Sequence, residues 1–205
     1  MKVFFYYVRH GQTLFNVRRR IQGSCDSPLT KQGIVEARIA GSALRDVKID
    51  RAYCSSSERA VDTAALVLEG RNIQAIPMKG LQEFDFGLLD GERVDDIQNQ
   101  LAAHSDMDFT DLGGDSLETI SERIIRTFNE ITSQCKDGDH VLIVSHGAYG
   151  MHLMRTLLHV RSEVFESGRL TIFPNGGIMQ FVFEDGEYRM LAGPCEPTEF
   201  QDVAK

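Results

Sequence analysis

The sequence predicts an α/β protein: a three-layer α/β/α sandwich around a mostly parallel central sheet. Three observations carry that expectation. Short β-branched and aromatic runs alternate with segments whose apolar residues recur at helical spacing. One of those runs, from Val141 to Val144, is apolar throughout, as expected of a strand buried on both faces. The reactive side chains gather where the runs end, and open parallel sheets build their sites beyond the carboxyl ends of their strands. At 205 residues the chain is expected to form one domain, spanning 1–205, with a sizeable core.

The first strand is expected at 3–8, followed by a loop containing Gly11, Gly23 and Pro28. Thr30 is placed to cap a helix in which Ile34, Ala37, Gly41 and Leu44 recur at helical spacing. A short strand at 50–54 leads through residues 55–57, a second potential cap, into a helix over about 58–68. A third strand lies near 73–77. Residues 84–114 break the pattern. Gly87, Gly91, Gly113 and Gly114 punctuate them, acidic residues dominate them, and only 94–102 is a short helical candidate. This stretch reads as an irregular, lid-like insertion. Asp115-x-x-Glu118 resembles a capping box, opening a helix with Ile120, Ile124, Phe128 and Ile131 along one face. After the buried strand a helix is expected over about 148–159. Runs at 178–183 and 188–191 then pair antiparallel about the Asp185-Gly186 turn.

Composition narrows the function classes. With 42% hydrophobic and 25% charged residues, the chain has the make-up of an ordinary soluble globular protein. No apolar run approaches the length of a membrane span. A single Lys2 precedes the first run, Arg9 ends it and no small-residue cleavage site follows, so it is expected to be a strand and not a signal peptide. A cytoplasmic location is the corresponding expectation. The formal net charge of -8 argues against nucleic acid or an anionic membrane as partner, while leaving room for a small anionic substrate in a locally positive cleft. Cys25, Cys54, Cys135 and Cys195 are widely spaced, without metal or redox spacing, and read as free thiols. Metal ligation is not expected: His146 and His152 are six apart, no HExxH occurs, and His104, His140 and His159 read as solvated. The sequence sets no oligomeric state.

Arg9-His10-Gly11 ends the first strand and Ser145-His146-Gly147 ends the buried one. Imidazole is a competent nucleophile near neutral pH, Gly11 allows close backbone approach, and Arg9 offers a planar fork for phosphate oxygens. Each histidine taken alone is equally consistent with a structural role at a strand end; the repeated arrangement points to a shared site. The helix after His146 would add free N–H groups that favour a bound phosphate. Arg59 sits in the first turn of a helix, where a cation opposes the helix dipole and a bound anion would compensate it. Glu83, among 30 acidic residues, is set apart by following a strand and preceding Gly87 and Gly91.

These motifs occur in one order. Arg9-His10-Gly11 with Asn16 is followed by Gln22-Gly23, Asp26-x-Pro28-Leu29-Thr30-x-x-Gly33, and SxxxRAxxTA at 55–64. LQEFDFGLLDG at 81–91, Gly113-Gly114-Asp115-Ser116, and SHG at 145–147 complete the series. Over about 3–190 the chain resembles the histidine phosphatase, or phosphoglycerate mutase-like, family; Asp90 stands where that family usually carries Glu. The resemblance implies a metal-independent phosphomonoester hydrolase without a cofactor, acting on a small phosphorylated metabolite. In it His10 carries the phosphoryl group, and Arg9, Arg59 and His146 bind that group with help from Asn16. Glu83 protonates the leaving oxygen and then activates water. Gln22, Gly23 and Gly147 are the further phosphate-binding candidates. Phosphoryl transfer depends mainly on orientation and charge neutralisation, which two arginines and a second histidine can supply.

Two other readings remain. A phosphoglycerate mutase would return the phosphoryl group to a second hydroxyl, but Phe84-Asp85-Phe86 after the acid glutamate is a poor surface for a second phosphate. A non-catalytic phospho-ligand binding module would have no need of His10 or Glu83. Arg18-Arg19-Arg20 reads either as a solvated face or as a guide for anionic substrate.

Overall fold

The computed structural model describes residues 1–160 and 173–204. Six strands are present there: β1 (Lys2–Arg9), β2 (Arg51–Ser55), β3 (Ile76–Met78), β4 (His140–Ser145), β5 (Ile178–Glu184) and β6 (Glu187–Cys195). They form one sheet in the order β3-β2-β4-β1-β5-β6. The first four strands run parallel, and β5 joins β1 antiparallel, with β6 antiparallel to β5. Arg9 lies opposite Ser145, and Cys54 opposite Val144, so β1, β2 and β4 end at a common level. That register brings the two histidine motifs and the 55–59 segment to one edge.

The helices are α1 (Leu14–Val17), α2 (Lys31–Ala43), α3 (Glu58–Val67), α4 (Gln98–Ala103), α5 (Leu117–Ser133) and α6 (Gly147–Thr156). Alternation along the strands fills both faces of the sheet. Tyr6, Val8, Leu142 and Val144 pack with Ala40, Leu44, Ala60 and Ala64 on the α2–α3 side. Phe5, Tyr7, Val141 and Ile143 pack with Ile120, Ile124, Phe128 and Leu153 on the α5–α6 side. This is the three-layer sandwich the sequence predicts. The β5–β6 turn carries Asp185 at φ 54° and Gly186 at φ 90°, the left-handed pair that suits a tight hairpin.

Several local expectations shift. The box that opens α5 is Ser116 with Thr119, not Asp115 with Glu118, because Asp115 is turned toward Asp85 and Arg123. Ser57 precedes α3 but caps nothing with its side chain; the Glu58 N–H goes to Asp26 Oδ2 at 2.5 Å. The third strand is three residues long and begins at Ile76, since only there does the chain reach pairing distance of β2. The candidate helix at 94–102 divides into a 3₁₀ turn, Val94–Asp96, and α4. α6 ends at Thr156, short of His159. In α2 the buried residues are Gly33, Ala37 and Ala40, so Ile34 and Gly41 lie on its flank. Within 84–114, Phe84, Leu89, Ile97 and Phe109 are buried in the α5–α6 core, which anchors an otherwise irregular segment. Among the described residues no helix is long and apolar enough to cross a membrane.

Candidate active site

His10 is held from four directions. Its N–H donates to Ser145 O at 2.9 Å, and its carbonyl accepts from Asn175 Nδ2 at 3.1 Å. The Gly11 N–H is received by Thr63 Oγ1 at 3.1 Å. A Cβ on Gly11 would stand 2.2 Å from Gly33 O, so this turn presses against the start of α2 and only glycine fits. The ring Nδ1 lies 2.8 Å from Gly11 O. A carbonyl only accepts, so Nδ1 carries the hydrogen and Nε2 keeps its lone pair. Burial first, then Arg9 and Arg59, hold the imidazole pKa well below its ordinary value, leaving it neutral.

The His146 ring meets that of His10 edge-on, with centroids 5.2 Å apart. Its backbone is clasped by Tyr7, whose hydroxyl donates to His146 O at 2.7 Å and accepts from His146 N at 3.1 Å. Arg59 Nε donates to His146 Nδ1 at 3.2 Å; Nε2 therefore bears the hydrogen and donates to Ser55 Oγ at 2.7 Å. Burial, then Arg59, keeps this histidine neutral too.

Arg59 is fully buried, unlike an ordinary helix-surface arginine. Its other N–H groups reach Cys25 O and Asp26 Oδ1, both at 2.9 Å, Gly23 O at 3.0 Å and Gln22 O at 3.4 Å. The 22–26 loop is thus drawn in by its carbonyls. From the other side Asp90 receives its N–H groups, from Gly23 at 3.2 Å, Ser24 at 2.7 Å and Cys25 at 3.3 Å. The unusual Asp90 is a loop clamp. Gln22 is likewise engaged at both ends of its amide, accepting from Thr13 Oγ1 and donating to Ser27 Oγ, so its side chain holds the loop.

The start of α6 departs from expectation. Its first N–H groups face Glu83, not open space: Oε1 accepts from Tyr149 N at 2.6 Å and from Phe84 N at 2.9 Å, and Oε2 accepts from Ala148 N at 3.1 Å. Burial raises the Glu83 pKa, while these amides and Arg59 oppose the rise. The charge of Glu83 is also felt at Arg9. Arg9 Nη1 donates to Phe173 O, whereas its buried Nε has no partner among the described residues. Gly147 makes room for this guanidinium, since a Cβ there would lie 3.1 Å from Arg9 Nε. Asn16 Oδ1 accepts from Thr13 N at 3.0 Å and Asn175 Nδ2 at 3.2 Å, leaving Nδ2 as its donor end. Among the described residues no three His, Cys, Asp or Glu side chains group to hold a metal ion.

Tyr7, Thr63 and Asn175 escape single-site sequence reading. Tyr7 looks like one more strand aromatic, Thr63 is visible only as part of the SxxxRAxxTA pattern, and Asn175 sits in Pro174-Asn175-Gly176-Gly177, which reads as a turn. Arg19 and Arg20 reach the 84–114 segment, Arg19 pairing with Asp95 at 2.9 Å and Arg20 bonding Gly91 O, while Arg18 bonds Leu14 O through its backbone N–H.

A mostly parallel α/β sheet with paired strand-end histidines points to the phosphoglycerate mutase-like class of enzymes. Comparison with known proteins gives the family: the Histidine phosphatase superfamily (branch 1) matches residues 5–193, and the chain belongs to it. A 2,3-bisphosphoglycerate-dependent phosphoglycerate mutase of Cytophaga hutchinsonii is 35% identical over 159 residues, covering 71% of this chain and 75% of that one. The crystal structure of a phosphoglycerate mutase from Bacillus anthracis superposes with a TM-score of 0.78 at 29% identity, over 93% of this chain and 92% of the other. A mycobacterial glucosyl-3-phosphoglycerate phosphatase shares the fold, with a TM-score of 0.80 at 24% identity over 93% and 98% of the two chains.

Proposed function

We propose that the protein is a metal-independent phosphomonoester hydrolase that works through phosphohistidine on His10, with a small phosphorylated metabolite as substrate. The observation that carries this reading is the pairing of a neutral, buried His10, its Nε2 lone pair free, with a buried Arg9 Nε–H that has no partner among the described residues. Such a donor is costly to bury unmet, and a phosphate oxygen would satisfy it.

In the first step the Nε2 lone pair of His10 attacks phosphorus and the bond to the ester oxygen breaks. Glu83, protonated, gives its proton to that oxygen. The new phosphohistidine ring gains positive charge, which the Nδ1–H bond to Gly11 O stabilises. In the second step Glu83, now a carboxylate, takes a proton from water; the water oxygen attacks phosphorus and the P–N bond breaks. Inorganic phosphate and neutral His10 remain. The helix amides keep Glu83 from becoming a permanently neutral acid, while burial and the arriving phosphate charge favour proton uptake. Arg9 and Asn16 Nδ2 contact the phosphoryl oxygens. Arg59 contributes its charge and holds the loop, and its long bond to Gln22 O is the one most readily exchanged for phosphate. Residues 84–114 act as a lid.

Hydrolysis is favoured over mutase chemistry by the surroundings of Glu83. Phe84 and Phe86 pack against Phe109, and the only arginine of the 84–114 segment, Arg93, pairs with Asp95 and Asp96. The second reading, phosphoglycerate mutase, is supported by the names of two relatives, 35% and 36% identical. Rapid quench with labelled ester tests the common step: the wild type should yield an acid-labile, base-stable phosphoramidate that His10→Ala lacks, with turnover surviving exhaustive chelation. An acid-stable phosphoserine, or activity restored only by added metal, refutes the reading. Incubation with 3-phosphoglycerate separates the branches, because free phosphate marks a hydrolase and 2-phosphoglycerate a mutase.

A further inference from the structure

We propose that Arg123, together with Asp115, is the positioning device that aims the Glu83 carboxyl. The inference rests on the reading of Glu83 as proton donor.

Glu83 belongs to neither helix nor strand; it lies between the 3₁₀ turns Lys79–Leu81 and Gly87–Leu89. Its backbone must therefore be held by something else. Arg123, on α5 and largely buried, donates from Nη1 to Gln82 O, and from Nη2 to Glu83 O at 3.1 Å and Asp115 Oδ2 at 2.6 Å. Asp115, just before α5, is joined to Asp85 in both directions: its N–H donates to Asp85 O at 2.8 Å, and Asp85 N donates to its Oδ2 at 3.1 Å. Thr119 Oγ1 steadies the other oxygen, Oδ1, at 3.1 Å. One guanidinium and one carboxylate thus fix residues 82, 83 and 85 to α5.

The Glu83 side chain is anchored elsewhere, to the first amides of α6. Glu83 is stretched between two helices, by its backbone to α5 and by its carboxylate to α6. The Arg123 guanidinium also stands 5.7 Å from the ring centroid of Tyr149, whose N–H binds Glu83 Oε1, so a single cation touches both anchors. Removing the fork lets the acid segment drift relative to α6. Lysine at 123 would keep the charge but replace the rigid fork, which reaches Gln82 O from Nη1 and both Glu83 O and Asp115 Oδ2 from Nη2, with a single mobile ammonium. A displacement of about 1 Å at a proton donor is worth about 10²-fold in rate.

Proton donation matters for an alkyl ester, whose alkoxide leaves badly, and little for an aryl ester, whose phenolate leaves unaided. The experiment measures pre-steady-state phosphorylation of His10 by p-nitrophenyl phosphate and by glycerol phosphate in the wild type, Arg123→Lys, Glu83→Gln and the double variant. Arg123→Lys should slow the alkyl ester about 10–100-fold and the aryl ester less than about 3-fold. In the double variant Arg123→Lys should add less than about 2-fold to the loss from Glu83→Gln, because a positioning residue has nothing left to position. The aryl rate and vanadate binding report that the phosphate pocket is intact. Should Arg123→Lys fail to fold, Asp115→Asn, which keeps shape but not charge, takes its place. Equal slowing of both esters, or full multiplication in the double variant, overturns the inference. If Glu83→Gln itself shows no contrast between esters, the Glu83 reading falls and this inference with it. A contrast in Glu83→Gln but none in Arg123→Lys sinks the inference alone.

Discussion

In the histidine pocket, groups are held by residues far away in the chain, whereas in the 84–114 insertion most are held by near neighbours. Thr63 grips Gly11, Asn175 grips His10, Arg59 grips His146 and Ser145 grips Leu81 O, each across more than 50 residues. In the insertion Gly87 turns on Asp85, Thr110 on Asp108, and His104 on Gln100 and Asp111. The pocket can exist only once the sheet has formed; the insertion shapes itself largely by local turns. The same residue type consequently titrates in opposite senses. Burial holds His10, His146 and His152 neutral, while the pKa of the half-buried His104 is raised by its hydrogen bonds to Gln100 O and Asp111.

The largest effect expected within this comparison is at Glu83, where the two regions meet. Glu83→Gln keeps the size of the side chain, removes the proton and leaves one oxygen to accept from the α6 amides, so phosphorylation of His10 by an alkyl phosphate should fall about 10²–10⁴-fold while an aryl phosphate is affected far less. Stopped-flow or quench measurement of that first step checks it; turnover is unsuitable, because on the proposed mechanism hydrolysis of phosphohistidine would lose its base as well. Equal slowing of both esters would move the acid role to Asp85 or another carboxyl of the insertion.

Next is the pH dependence of stability. The pKa values of His10, His146 and His152 are depressed on folding, with His152 brought from 6.5 to about 4, so below pH 6.5 the unfolded chain binds protons that the folded one refuses. Stability is fully present above that range and is lost as pH falls through it. Glu83 works the other way, since its raised pKa lets the folded state take up a proton first. Three histidines outweigh one carboxyl. The melting temperature should fall by about 5–10 °C between pH 7.5 and 5, and calorimetry or circular dichroism would show it. A flat profile would mean that the histidines protonate in place.

The smallest effect is expected in the 84–114 segment. His104 donates from both ring nitrogens, to Gln100 O at 2.8 Å and Asp111 Oδ1 at 3.0 Å, which requires the imidazolium. Its pKa is raised, so this clasp is present below the ordinary histidine value and released as pH rises through the raised one. Amide exchange in residues 98–104, corrected for intrinsic rate, should speed up about 2–5-fold on going from pH 6 to pH 8, a modest change because Asp111 is exposed. His104→Gln should abolish that dependence; its persistence would place the sensor elsewhere.

Legibility differed between the regions for the same reason. Strand-end motifs such as Arg9-His10-Gly11 and Ser145-His146-Gly147 are short, and their chemistry is written in the residue types themselves. The insertion offered neither periodicity nor a strong propensity, so its turns and the division of 94–102 were not readable. The capping patterns at Asp115 and Ser57 mislead because a carboxylate near a helix start can serve a distant partner, as Asp115 serves Arg123, and a distant carboxylate can take the cap, as Asp26 does in place of Ser57.

The sequence by itself determined the α/β class and the order of the elements, and it named His10, Arg9, Arg59, Glu83 and His146 as candidates. Those follow from periodicity, composition and motif order, which are properties of the chain read along its length. Only the tertiary structure decided that Glu83, rather than a ligand, meets the first amides of α6, that Arg59 spends its donors on the 22–26 loop and His146, and that Asn175 and Tyr7 belong to the pocket. Hydrogen-bond donors are pointed by the whole fold. Which acceptor each one finds depends on β1, β2 and β4 ending at one level, a fact that no local stretch of sequence contains.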